Sequence, residues 1–167
     1  IIFGASGDLT HRKLITALFE LYLQRRIPSE FAIVGCARRP WSDKDFKEKM
    51  KAKLGDQISS NKKEWQQFSN YLFYEPVDLQ QSDHVVRLSK RLNEIDKSQA
   101  THGNKTFYLS VSPNFYGSGC KALKAAGLID DPKKSRIVIE KPFGRDYSSA
   151  KKLNKIVQSC ADESQIY

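Results

Sequence analysis

Short apolar runs alternate with amphipathic stretches along the whole chain, and no other feature constrains the fold as much. The runs at residues 1–3 (IIF), 31–35 (FAIVG), 71–74 (YLFY), 106–111 (TFYLSV) and 136–140 (RIVIE) are apolar on both faces or nearly so. A strand with one wet face would alternate apolar and polar residues; these read as strands covered on both sides. Between them, apolar residues recur every three or four positions, the period of one helix face. Residues 8–26 carry Leu14, Leu18, Leu21 and Tyr22 on one side, with Pro28 beyond the end. Phe46, Met50 and Leu54 follow Ser42, whose hydroxyl suits a helix start. Residues 62–70 place Trp65 and Phe68 inward, and residues 82–95 do the same with Val85, Leu88, Leu92 and Ile95. Further helices are expected at 115–126, ended by Gly127, and at 147–161. Strands alternating with helices build a parallel sheet with helices on both faces. The expected architecture is therefore α/β: one Rossmann-type, doubly wound, mostly parallel sheet spanning residues 1–167.

Composition narrows the class. Apolar residues make up 40% and charged residues 28%, ordinary for a globular domain. No window approaches ~18 unbroken apolar residues, so no membrane span is expected. Cys36, Cys120 and Cys160 stand far apart with no CxxC or Cys/His cluster, which supports neither a disulfide framework nor a metal site. The net charge of +9 raises nucleic acid as a partner. However, the basic residues between Lys121 and Lys155 are scattered over two helices and a loop without interleaved aromatics. No nucleic-acid partner is expected, and a basic binding module is the disfavoured alternative. The chain opens without an initiator Met and closes on Gln165-Ile166-Tyr167, which reads as the start of a strand. A further domain beyond these residues is expected.

Gly4-Ala5-Ser6-Gly7-Asp8-Leu9 joins the first strand to the first helix. There a pyrophosphate can dock on free helix N–H groups. Gly4 allows the tight turn, Gly7 lets backbone approach phosphate oxygens, and Ser6 offers a hydroxyl. The spacing is GxxG rather than GxGxxG, and plain strand–helix turns share it, so the second strand must discriminate. An NAD site places Asp or Glu at the end of that strand to hold the ribose 2′-hydroxyl. This strand ends in Gly35-Cys36-Ala37-Arg38-Arg39-Pro40. Guanidinium groups suit a 2′-phosphate, so NADP is the expected cofactor.

Four segments now stand in order: GASGDLTHRKL, FAIVGCARR, FYLSVSPNFY and RIVIEKPFGRDY. Together they resemble the N-terminal coenzyme domain of the glucose-6-phosphate dehydrogenase family, over essentially the whole chain. Glu140-Lys141-Pro142-Phe143-Gly144 is the most specific piece. The resemblance implies oxidation of glucose 6-phosphate at C1 with NADP, giving 6-phosphogluconolactone and NADPH, in the pentose phosphate pathway. It implies pyrophosphate contact by Gly4, Ala5, Ser6, Gly7, Asp8 and Leu9, and 2′-phosphate contact by Arg38. It places Tyr108 and Pro113 on the nicotinamide side, and Asp78 and Leu79 by the adenosine half. It puts Lys141 between cofactor and sugar phosphate, and Lys13 near the substrate. It also implies a cytoplasmic enzyme, or a plastid form, that is a homo-oligomer through a C-terminal domain.

Departures and absences count too. Thr10, His11 and Thr16 stand where the family usually has Ala, Lys and Pro. Thr10 predicts looser packing of helix on strand. His11, His84 and His102 match no catalytic histidine, so no catalytic residue is assigned within 1–167. The pair Tyr147 and Lys151 has the Tyr-x-x-x-Lys spacing of a short-chain dehydrogenase, but it follows EKPFG instead of a catalytic serine context.

Overall fold

The computed structural model describes residues 1–167. Five parallel strands form one sheet: β1 Ile2–Phe3, β2 Ile33–Ala37, β3 Leu72–Pro76, β4 Lys105–Leu109 and β5 Ser135–Ile139, in the order β3-β2-β1-β4-β5. The register is regular, with Ile2 opposite both Gly35 and Tyr108, and Tyr108 opposite Val138. Beyond β5, Ile166 bridges Ile137 in parallel, and the Tyr167 N–H donates to the Ile137 carbonyl at 2.9 Å. The closing residues thus pair with the β5 edge through a single bridge, where a strand start was expected.

Successive strand residues point to opposite faces, so each strand feeds two cores. On one face Ile2, Ile33, Leu72 and Tyr74 pack against α1 (Ile15–Leu23), α2 (Asp43–Leu54), α3 (Asp56–Ser60) and α4 (Lys62–Phe68). Phe19 is fully buried there, its ring 5.6 Å from Trp65 and 5.2 Å from Phe68. On the other face Phe3, Val34, Phe107, Leu109 and Ile137 meet α5 (Ser82–Gln99), α6 (Tyr116–Ala125) and α7 (Tyr147–Gln158). Each large apolar side chain buried this way contributes about 1.5–3 kcal/mol. The doubly wound α/β expectation holds.

Local chemistry explains the element ends. Ser42 caps α2: its hydroxyl accepts from the Asp45 N–H at 3.1 Å, and the Asp45 carboxylate accepts from the Ser42 N–H at 2.9 Å. Phe46, Met50 and Leu54 are the buried face of that helix. The close approach of α2 needs Gly35, because a Cβ there would lie 2.7 Å from the Phe46 ring. Asp146 and Ser149 cap α7 reciprocally. Several boundaries differ from the sequence reading. α5 runs four residues further, to Gln99. β4 ends at Leu109, where the Ser110 N–H turns back to the Tyr108 carbonyl at 3.2 Å.

The first helix differs most. It is helical from Asp8, passes through a π-helical stretch at Thr10–Leu14, and stops at Leu23 instead of Arg26. Thr10 is completely buried, with its hydroxyl directed at the Gly4 carbonyl at 3.5 Å. The wider π turn lies where Thr10 stands at the helix–strand contact. Thr10 is thus buried at the helix–strand contact within a π turn.

Candidate functional site

The carboxyl ends of β1, β2, β3 and β4 surround a cavity of about 760 Å³. It lies where strand order reverses between β1 and β4, the place where open α/β sheets take ligands. A slightly larger hollow, about 820 Å³, lies on the outer surface beside Lys51, Lys62 and Trp65. It borders α2, α3 and α4, away from every strand end, and the chemistry converges on the first cavity.

Gly4 makes the turn possible. Its φ is +82°, and its N–H donates to the Cys36 carbonyl at 2.8 Å, tying the turn to β2. The Ala5 N–H reaches the same carbonyl at 3.1 Å, and the Gly7 N–H closes on the Gly4 carbonyl at 2.8 Å. The Ser6 N–H takes no backbone partner. The first N–H groups of the following helix lack intrahelical acceptors and add partial positive charge. Asp8 does not cancel it freely, because its carboxylate pairs with Arg12 at 3.4 Å.

At the end of β2, Arg38 is exposed and makes no ion pair or hydrogen bond within the chain. Arg39 leans on the Trp41 ring, its guanidinium carbon 5.9 Å from the centroid. The segment is pinned from below by Tyr74, whose hydroxyl lies 2.9 Å from the Arg39 carbonyl and 3.2 Å from that of Ala37. Burial pushes the Tyr74 hydroxyl well above its usual range, so it stays a donor. The thiol of Cys36 lines the cavity wall, and burial raises it to about 12, which keeps it protonated and unreactive.

The structure brings Gly4, Ser6, Gly7, Arg38, Asp78 and Leu79 onto one cavity wall. Ala5, Asp8 and Leu9 belong to the same turn but do not line the cavity. Lys13 and Lys141 are exposed and stand off its wall, as does Pro113. Tyr108 is also off the wall: its hydroxyl donates to the Glu140 carboxylate instead. The Lys141–Pro142 bond is cis. Ser110, Val111, Ser112 and Phe115, from the segment after β4 to which the strand-end rule points, also line it. His84 was read as an ordinary helix residue. Its Nδ1 accepts the Asp78 N–H at 3.1 Å and so holds the end of β3. His102 meets Glu30 at 3.2 Å on the surface. Tyr147 is 80% exposed, and the Lys151 ammonium lies over its ring at 5.7 Å, which is no catalytic pair. No three His, Cys, Asp or Glu side chains converge as a metal would require.

The family profile described as "Glucose-6-phosphate dehydrogenase, NAD binding domain" matches residues 1–167. The chain belongs to the glucose-6-phosphate dehydrogenase family. Glucose-6-phosphate 1-dehydrogenase of Bacillus subtilis is 39% identical over 167 residues, covering 100% of this chain and 34% of that protein. The enzyme of Streptococcus pneumoniae is 37% identical over 166 residues, covering 99% and 33%. A solved structure of glucose-6-phosphate dehydrogenase with its substrate glucose 6-phosphate superposes with a TM-score of 0.86. It is 27% identical, with 99% of this chain and 34% of that one covered. The enzyme of Mycobacterium avium, at 22% identity and a TM-score of 0.82, shares the fold. The chain thus spans about a third of the length of its glucose-6-phosphate dehydrogenase relatives. It matches the NAD-binding domain of that family over its whole length.

Proposed function

We propose that this chain is the coenzyme domain of an NADP-dependent glucose-6-phosphate 1-dehydrogenase. One observation carries the choice of NADP. Arg38, free of any partner, stands with Arg39 where an NAD site needs a carboxylate. The cavity fits a dinucleotide on three counts: its volume lies within the usual ligand range, the Ser6 amide is unpartnered, and Arg38 is free.

The roles of the Gly4–Leu9 turn, Arg38, Asp78 and Leu79 rest on their place at the cavity, and those of Tyr108, Pro113, Lys13 and Lys141, which stand off its wall, rest on the family resemblance. The Gly4–Leu9 turn offers backbone N–H groups to the pyrophosphate. Arg38 takes the 2′-phosphate, and Asp78 and Leu79 face the adenosine half. Tyr108 and Pro113 belong to the nicotinamide side, with Tyr108 acting through Glu140. Lys141 leaves the carboxyl edge between cofactor and sugar phosphate, and Lys13 lies on the first helix toward the substrate. When bound, NADP would supply the acceptor for the hydride from C1 of glucose 6-phosphate. The C1 hydroxyl proton needs a base, and none of His11, His84 and His102 is placed for it, so that group belongs to another part of the full-length enzyme. Without it, roughly 10²–10⁴ in rate is lost, and residues 1–167 alone are expected to be inactive. The enzyme is cytoplasmic, acts as a homo-oligomer, and has no nucleic-acid or membrane partner in this reading.

Arg38→Ala in the full-length protein tests it. A charge-assisted hydrogen bond contributes about 1.5–3 kcal/mol, so the Kd for NADP should rise about 10- to 100-fold while that for NAD stays level. Unchanged NADP affinity would remove Arg38 from its role.

A further inference from the structure

Glu140 lies one residue past β5, at the carboxyl edge of the sheet, directly before Lys141. It is gripped twice. Tyr108 is opposite Val138 in the β4–β5 register, so its ring and the Glu140 side chain share one sheet face. On that face the Tyr108 hydroxyl donates to Glu140 Oε1. From the other face comes Tyr116 of α6, 1% exposed, whose hydroxyl donates to the Glu140 carbonyl at 3.1 Å. Both donors persist at working pH, because burial and the nearby carboxylate raise Tyr108 to about 12 and raise Tyr116 as well. Lys141, the next residue, is exposed and takes no hydrogen bond or ion pair of its own. Its ammonium is free for a ligand, and the lysine starts between the Glu140 peptide and the cis bond to Pro142.

We propose that Glu140 is a positioning residue, clamped by Tyr108 and Tyr116 so that Lys141 leaves the sheet edge in the direction the sugar phosphate needs. The inference rests on the dehydrogenase reading above. A hydrogen bond from each side of the sheet holds one residue against both sliding and rotation. An angular error at Glu140 is carried along the long Lys141 side chain, and misplacement of about 1 Å costs up to about 10² in rate. Position, and not charge, is the property at stake, so a neutral acceptor of the same shape should serve.

The test uses the full-length enzyme with Tyr108→Phe, Glu140→Gln and Glu140→Ala. Tyr108→Phe removes only a hydroxyl from a half-exposed ring and keeps the fold. It should lower kcat/KM for glucose 6-phosphate about 10- to 100-fold, with the melting temperature unchanged. Glu140→Ala should do the same, and Glu140→Gln should recover most of the loss, since its amide oxygen still accepts from Tyr108. The double variant Tyr108→Phe with Glu140→Ala should be no worse than the poorer single one, because both remove the same contact. Wild-type kcat/KM in Tyr108→Phe would overturn the inference, and so would Glu140→Gln being as poor as Glu140→Ala. A fall in melting temperature in both Tyr108→Phe and Glu140→Ala would also overturn it, as a plain packing role. A wild-type enzyme that never reduces NADP with glucose 6-phosphate would overturn the dehydrogenase reading itself, and this inference with it.

Discussion

Replacing Gly4 by alanine would place a Cβ 1.9 Å from the Ser110 carbonyl oxygen and 2.8 Å from its carbon. The oxygen lies about 1.5 Å inside ordinary contact. It is backbone, at the end of β4, and cannot rotate away as a side chain would. The residue also sits at φ +82°, which costs a non-glycine about 1–2 kcal/mol. Overpacking adds about 1–3 kcal/mol. The expected destabilisation is about 2–5 kcal/mol, a large share of a typical domain's 5–15 kcal/mol. Urea denaturation of the full-length protein measures it. Gly55→Ala is the control, because Gly55 also has positive φ, +44°, yet its Cβ would meet nothing within 4 Å. At φ +44° and ψ −116° it should lose only the backbone part, about 1–3 kcal/mol. Moving the Ser110 carbonyl also shifts a wall of the cavity proposed to hold NADP, so Gly4→Ala should weaken NADP binding, whereas Gly55→Ala should not. Equal losses of stability in the two variants, with NADP affinity kept in both, would refute the steric reasoning.

Two further outcomes are expected. β3 is an edge strand, and its outward Tyr74 N–H is taken by Asp43 at 2.6 Å, while Arg91 holds the other carboxylate oxygen at 3.0 Å. Asp43→Ala should cost about 1–3 kcal/mol by leaving that N–H unmatched, and Asp43→Asn should restore much of it; a urea midpoint unchanged in Asp43→Ala would refute this. The His11 ring stacks on Trp41 at 6.2 Å, with Nε2 buried and unpartnered. Burial first, then Lys53, with a smaller push from Lys49, outweigh the Ala5 backbone hydrogen bond and Asp8, so its pKa is lowered and the folded state favours neutral imidazole. That contribution to stability is full above about 6.5, the ordinary histidine value, and is lost as pH falls below it. Urea midpoints between neutral and mildly acidic pH should drop further in the wild type than in His11→Gln; parallel curves would refute it.

The sequence by itself determined the sheet-and-helix alternation, because burial on both faces imposes apolar runs and helical periodicity within a few residues of one another. It also determined the Gly4–Gly7 turn, the Ser42 cap and the Arg38 end of β2, which are all local chemistry. Lys141 was legible only as part of a motif. Only the tertiary structure decided which strand ends share a wall, since that depends on the order β3-β2-β1-β4-β5, and no local pattern encodes strand order. It moved Tyr108 from the cavity to Glu140, 32 residues away along the chain. It gave His84 a place under Asp78, and it met Thr10 with a π turn where a plain helix was expected. Each of these turns on a contact between side chains whose meeting is fixed by packing, and packing is a property of the whole sheet and its two cores.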